Sequence, residues 1–122
     1  MSVKILIVED EPAIAENLAA LLAAKGYEII LAADGSQAVS EARKQHPDVV
    51  LLDIMLPRLG GFDVCRILKG DPATKSAKII MLTGLARMGD VETAFESGAD
   101  DYIIKPFNSE RLFKKLDKVL AK

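Results

Sequence analysis

Tryptophan is absent from the 122 residues, and cysteine occurs once, at Cys65. A single cysteine excludes an intramolecular disulfide framework and any multi-cysteine zinc site, and it suits a reducing compartment. Charge of one sign is also lacking: 16 Lys and Arg against 18 Asp and Glu leave a formal charge of -2. So even a balance argues against a nucleic-acid binder working through a broad basic face, and against a polybasic membrane anchor. Long apolar runs are missing. ILIV at 5–8, VVLL at 49–52 and IIML at 79–82 fall far short of the roughly 18 residues a membrane span needs. The N-terminal MSVKILIVED passes straight from its Met into a strand-like run, so no signal peptide is expected and the chain reads as cytoplasmic. No repeat or low-complexity linker divides it. Half of the residues are apolar, enough for one full core in a single domain over residues 1–122.

What is present is an alternation of short β-branched runs with longer segments of helical period. Lys4–Val8, Glu28–Ala32, Val49–Asp53, Lys78–Thr83 and Asp101–Lys105 read as strands. Pro12 suits the first turn of a helix, whose apolar face is Ile14, Leu18, Leu21 and Leu22 and whose stop is Gly26. Asp34-Gly35 leads into a helix carrying Ala38, Val39 and Ala42. PRLGG at 57–61 is a loop before a helix that faces Phe62, Cys65 and Leu68 inward. A further helix presents Val91 and Phe95 and stops near Gly98, and a last one from about Ser109 presents Leu112, Leu116, Val119 and Leu120. Five strands alternating with five helices over short connections predict an α/β fold with a parallel sheet covered on both faces.

Ligands of such sheets gather at the carboxyl ends of the strands. There the chain places Glu9-Asp10 and then Glu11 after strand one, Asp53 ending strand three, Thr83-Gly84 ending strand four and Lys105-Pro106 ending strand five. Any one strand-end Asp is commonly a helix cap. Together, the acids repel unless a cation lies between them. Oxygen ligands at a shallow, wet rim suit Mg²⁺, with Mn²⁺ as the alternative, better than zinc. A nucleotide-binding fold would carry a glycine-rich turn after strand one, and Glu9, Asp10 and Glu11 there would repel a phosphate instead.

VEDEP at 8–12, LLDIMLPRLGGFDV at 51–64, LTG at 82–84 and GADDYIIKPF at 98–107 resemble the receiver domain of two-component response regulators, in order and along the whole chain. The resemblance implies a flavodoxin-like (βα)5 sandwich with strand order 2-1-3-4-5. It also implies a phosphorylation-controlled switch, not a turnover enzyme. Asp53 then corresponds to the phosphoacceptor, and Asp10, Glu9, Asp53 and the backbone carbonyl of Met55 to the Mg²⁺ ligands. Lys105, before a cis Pro106, corresponds to the residue that pairs with the phosphoryl group and the carboxylates. Thr83 would donate its hydroxyl to a phosphoryl oxygen, and Tyr102 would be the switch aromatic that turns inward. A sensor histidine kinase or phosphotransfer protein is the implied donor, and an unidentified protein meeting the face of helix four, strand five and helix five the implied target. Phe107 and Arg111 lie near that face. Direct nucleic-acid or membrane contact is not expected, and the chain is either a monomer or a phosphorylation-dependent dimer.

Plainer readings stand beside these. Tyr102 also reads as a half-buried edge-strand residue, Thr83 as a strand threonine and Lys105 as a solvated strand-end lysine. Glu11 reads as helix-dipole chemistry and His46 as a helix C-terminal residue. Cys65, Met81 and the Met55 side chain read as packing. A phosphorylation-independent pseudo-receiver has no need of Asp10, Asp53, Thr83 and Lys105 together. An aspartyl-phosphate phosphohydrolase would carry its nucleophile after strand one, usually as DxD, and Asp10 instead lies between two glutamates. In the family, the residues two past the phosphoacceptor and two past the threonine flank the path of the hydrolytic water. Here they are Met55 and Leu85, both apolar, which implies slow self-dephosphorylation. The chain stops after helix five, so an output through a partner, or through the rest of a longer regulator, is expected.

Overall fold

The computed structural model describes residues 2–84 and 90–121, excepting the side chains of residues 90 and 91. Ten elements follow one another: β1 (Lys4–Val8), α1 (Pro12–Ala23), β2 (Glu28–Ala32), α2 (Gly35–Gln45), β3 (Val49–Asp53), α3 (Gly61–Gly70), β4 (Lys78–Thr83), α4 (Asp90–Glu96), β5 (Asp101–Ile104) and α5 (Ser109–Leu120). The strands form one parallel sheet of order β2-β1-β3-β4-β5. That is the order expected from the family resemblance.

Successive strand residues face opposite sides of the sheet, and the two sides have different covers. On one side Leu6, Val8, Val50, Leu52, Ile79 and Met81 pack with Ala38, Ala42, Val64, Cys65 and Leu68 of α2 and α3. On the other, Ile5, Ile7, Val49, Leu51, Ile80 and Leu82 pack with Leu18 and Leu22 of α1 and Leu112, Leu116 and Val119 of α5. The three inner strands are apolar on both faces for this reason. Helix α1, which follows β1, lies on one side and α3, which follows β3, on the other, so the connections leaving β1 and β3 diverge and open a crevice above their carboxyl ends.

Local signals set several boundaries. Asp34 caps α2, its carboxylate accepting from the Gln37 amide at 2.8 Å, and the Gln37 side chain returns to the Ala33 amide at 2.7 Å. Asn108 caps α5 in the same way. Pro12 occupies the first turn of α1, following Glu11, whose extended backbone precedes the helix and whose side chain makes no capping bond.

The structure also revises some expectations. Helix α1 stops at Ala23, and Gly26, at φ +93°, forms the turn beyond it. His46 ends α2 in the left-handed conformation, φ 52°, with its ring 3.4 Å from the Ala73 carbonyl. Phe95 is 47% exposed instead of facing the core, because α4 lies at the sheet margin and turns this ring toward Tyr102. Met81 is fully buried, as its packing role requires. The Met55 side chain is 78% exposed, because it lies in the loop beyond β3 and above the core. Leu85 and the Val91 side chain lie outside the described residues.

Candidate functional site

The crevice between β1 and β3 receives Glu9, one residue past β1, and Asp53, the last residue of β3. Both are buried, Glu9 at 3% and Asp53 at 5% exposure, whereas Asp10 stands exposed at the rim. Parallel pairing puts Val8 beside Leu52, so the acids that follow these residues arrive at one level. Carboxylate oxygens of Glu9, Asp10 and Asp53 all lie within 4.8 Å of one another.

Asp53 is held from two sides. Its Oδ1 accepts from the Met55 amide at 2.9 Å, and its Oδ2 accepts from Lys105 Nζ at 2.8 Å. Lys105 follows β5 directly, and its amide donates to the Thr83 carbonyl at 2.6 Å. The Lys105–Pro106 peptide is cis. Lys105 Nζ also lies 3.7 Å from Glu9 Oε2, so one ammonium faces two buried carboxylates. Thr83 is buried at the end of β4, adjacent to β5. Four strand ends therefore converge.

Charge is not balanced at this point. Burial, followed by the neighbouring Asp53 carboxyl, pushes Glu9 up to about 7. Burial also pushes Asp53 upward, but hydrogen bonds from Glu9, Lys105 and the Met55 amide outweigh it and leave Asp53 below the ordinary aspartate value. Burial pulls Lys105 down, and the pairing with Asp53 and Glu9 more than reverses this. Glu9 is thus the acid of the pair that holds a proton more readily, and Asp53 the one that stays ionised. Among the described residues, buried Glu9 Oε2 has no hydrogen-bond partner. An oxygen of this kind beside two further carboxylates fits a hard divalent cation, which takes oxygen ligands and keeps several waters.

A residue not singled out from the sequence holds the site in shape. Gly61 begins α3 against the chain that leaves β3: its amide donates to the Ile54 carbonyl at 3.1 Å. A Cβ there would strike the Asp53 carbonyl oxygen and lie 2.7 Å from Ile54 Cα. The double glycine at 60–61 was the available signal, yet only the close approach says which glycine is obligatory. Arg58, in the same loop, adopts φ 64° without being a glycine.

Tyr102, on edge strand β5, is half-buried. Its ring meets Phe95 edge-on, 6.0 Å between centroids at 87°, and Lys115 Nζ lies 5.0 Å from its centroid. No described helix is long and apolar enough to cross a membrane.

A family model described as the response regulator receiver domain matches residues 5–117. Among curated proteins, the DNA-binding response regulator MtrA of Mycolicibacterium smegmatis is 43% identical over 116 residues, covering 95% of this chain and 50% of that protein. The chain spans about half the length of the curated relatives it matches. Among solved structures, the chemotaxis protein CheY4 of Vibrio cholerae superposes with a TM-score of 0.93 at 32% identity, covering 98% of this chain and 99% of that one. The receiver domain of the sensor histidine kinase PA1611 of Pseudomonas aeruginosa does so with a TM-score of 0.92 at 35% identity over the whole of both chains, and it holds a magnesium ion in its active-site cleft. The expectation of no direct nucleic-acid contact gains no support from relatives described as DNA-binding. With its five-stranded order, its buried acids and these matches, the chain belongs to the response regulator receiver domain family, the phosphorylation-controlled switches of two-component signalling that take phosphate from histidine kinases.

Proposed function

We propose that Asp53 is the phosphoacceptor of this chain. The observation that carries the reading is the pairing of a buried Asp53 with Lys105 at 2.8 Å beside two further acids whose oxygens lie within 4.8 Å. An oxygen of Asp53 forms the new bond to phosphorus, and the P–N bond of a phosphohistidine breaks. The electron pair of that bond leaves with the imidazole, and an acyl phosphate results. Glu9, Asp10, Asp53 and the Met55 carbonyl would hold Mg²⁺, or Mn²⁺ in its place. Bound there, the ion neutralises charge on the phosphoryl oxygens as bonds change.

The residues of the chain do the remaining work. The Met55 amide and Lys105 orient the Asp53 carboxylate, and the depressed Asp53 pKa keeps it ionised as a nucleophile. Lys105 is placed to follow the negative charge from the carboxylate to the transferred group. Thr83 supplies a hydroxyl to a phosphoryl oxygen, and Tyr102 reports the event on the face made by α4, β5 and α5, where a partner protein is regulated. Chemistry stops at self-phosphorylation and self-dephosphorylation.

Intact-mass spectrometry after incubation with acetyl phosphate and Mg²⁺ tests this. One base-labile phosphoryl adduct is expected, lost in chelator and in Asp53→Asn. A protein that stays unmodified under these conditions would have to act as a phosphorylation-independent binding module instead.

A further inference from the structure

Among the described residues, Asp101, which opens β5, is the other buried acid, 3% exposed, and the phosphorylation site makes no use of it. Its Oδ1 accepts from the Tyr102 amide at 2.8 Å and from Lys115 Nζ at 2.9 Å. Its Oδ2 is buried without a hydrogen-bond partner among the described residues, 3.7 Å from Lys118 Nζ. Burial pushes this carboxyl up, but Lys115, the Tyr102 amide and the Lys118 charge together bring it below its ordinary value, so it is a fixed negative charge. Lys115 is anchored by that charge.

The anchored ammonium has a second contact. Helix α5 packs on one side of the sheet and α4 on the other, and β5 is the edge strand between them. Lys115 reaches from α5 across this open edge and sets its Nζ 5.0 Å from the Tyr102 ring centroid, within range of a cation–π attraction. Phe95 of α4 supports the same ring edge-on. Turning the ring inward toward Thr83 means leaving Lys115, while Asp101 prevents Lys115 from following.

We infer that Lys115 is a positioning residue for the switch: pinned by Asp101, it holds the Tyr102 ring in its observed place and so opposes phosphoryl occupancy of Asp53. The inference rests on the reading of Asp53 as phosphoacceptor and of Tyr102 as the aromatic that moves. By linkage, whatever favours the unmodified arrangement weakens binding at the other site by the same factor.

Beryllofluoride with Mg²⁺, a stand-in for the phosphoryl group on Asp53, is the probe. Its affinity is measured by titration of ¹⁹F signals in the full chain. Lys115→Gln should bind it about threefold more tightly, the scale of a partly exposed cation–π contact, and Lys115→Arg should restore the wild-type affinity. In a Tyr102→Leu background the Lys115→Gln change should vanish, because the ring through which it acts is gone. Loss of the Asp101 partner lowers stability in both backgrounds, so urea melts separate that structural effect from the coupling. An unchanged or weaker affinity in Lys115→Gln, or an equal gain in the Tyr102→Leu background, overturns the inference while leaving the phosphoacceptor in place. So does a gain that grows with protein concentration, since Lys115 would then act between copies. A wild type that binds no beryllofluoride removes the underlying reading and the inference with it.

Discussion

Glu9 carries the largest electrostatic cost visible at the site, and replacing it offers a quantitative test. A carboxyl moved from 4.5 to about 7 by burial and by Asp53 implies ~3 kcal/mol of destabilisation of the ionised folded state. The sign follows from proton uptake: below pH 7 the folded protein holds a proton on Glu9 that the unfolded chain holds only below 4.5. The cost is therefore fully present above pH 7 and is relieved as the pH falls toward 4.5. In chelator at pH 8, Glu9→Gln should be more stable than wild type by about 2 kcal/mol, less than the full cost because the amide is itself buried beside an unpaired oxygen. At pH 5 the advantage should shrink to below ~1 kcal/mol. Urea melts followed by far-ultraviolet circular dichroism at the two pH values give both numbers. Saturating Mg²⁺ should narrow or reverse the difference, since the cation stabilises the protein that keeps all three acids. A variant equal to or less stable than wild type at pH 8 in chelator would refute the reasoning, because Lys105 would then compensate both carboxylates fully. Asp10 is the weaker place to look. It is exposed, so Asp10→Asn should raise the stability of the metal-free protein by only a few tenths of a kcal/mol while still weakening Mg²⁺ binding.

Three further outcomes are expected. Gly61→Ala should destabilise by about 2 kcal/mol and slow phosphorylation, because the new methyl displaces the chain that carries Asp53; melts and adduct formation rates check both. Arg58→Gly should stabilise by about 1 kcal/mol, since a left-handed backbone at φ 64° costs a non-glycine residue that much; a lower urea midpoint would show that the Arg58 side chain contributes more than the strain it causes. Met55→Asn should shorten the lifetime of the acyl phosphate several-fold, as its exposed apolar side chain gives way to a group able to orient water. Loss of the adduct after removal of free phosphodonor and before quenching gives that rate.

Much of this protein is written locally. Apolar runs such as VVLL and IIML are strand-forming and too uniformly apolar for a one-faced sheet, so the parallel α/β class follows from residues a few positions apart. Pro12 likewise marks a helix start through its fixed φ, and Asp34 and Asn108 through side-chain bonds that span one turn. Glu9, Asp10, Asp53, Thr83 and Lys105 lie at or just past strand ends, and a parallel sheet puts all such ends on one rim.

The tertiary structure decided what no neighbouring residue specifies. Met55 and Phe95 are apolar, yet both are exposed, because burial depends on where the loop and α4 end up relative to the core. Gly61 is obligatory only because α3 begins against the Asp53 carbonyl. Glu9 and Asp10 are adjacent acids with opposite fates, one buried beside Asp53 and pushed up to about 7, the other in water. Asp101 and Lys115 meet across an edge strand 14 residues apart. Local patterns set propensity and facing, because those act within a turn or along one strand. Distances between charges and the exclusion of water from them arise only when separate elements pack, and the electrostatics of this site come from that packing.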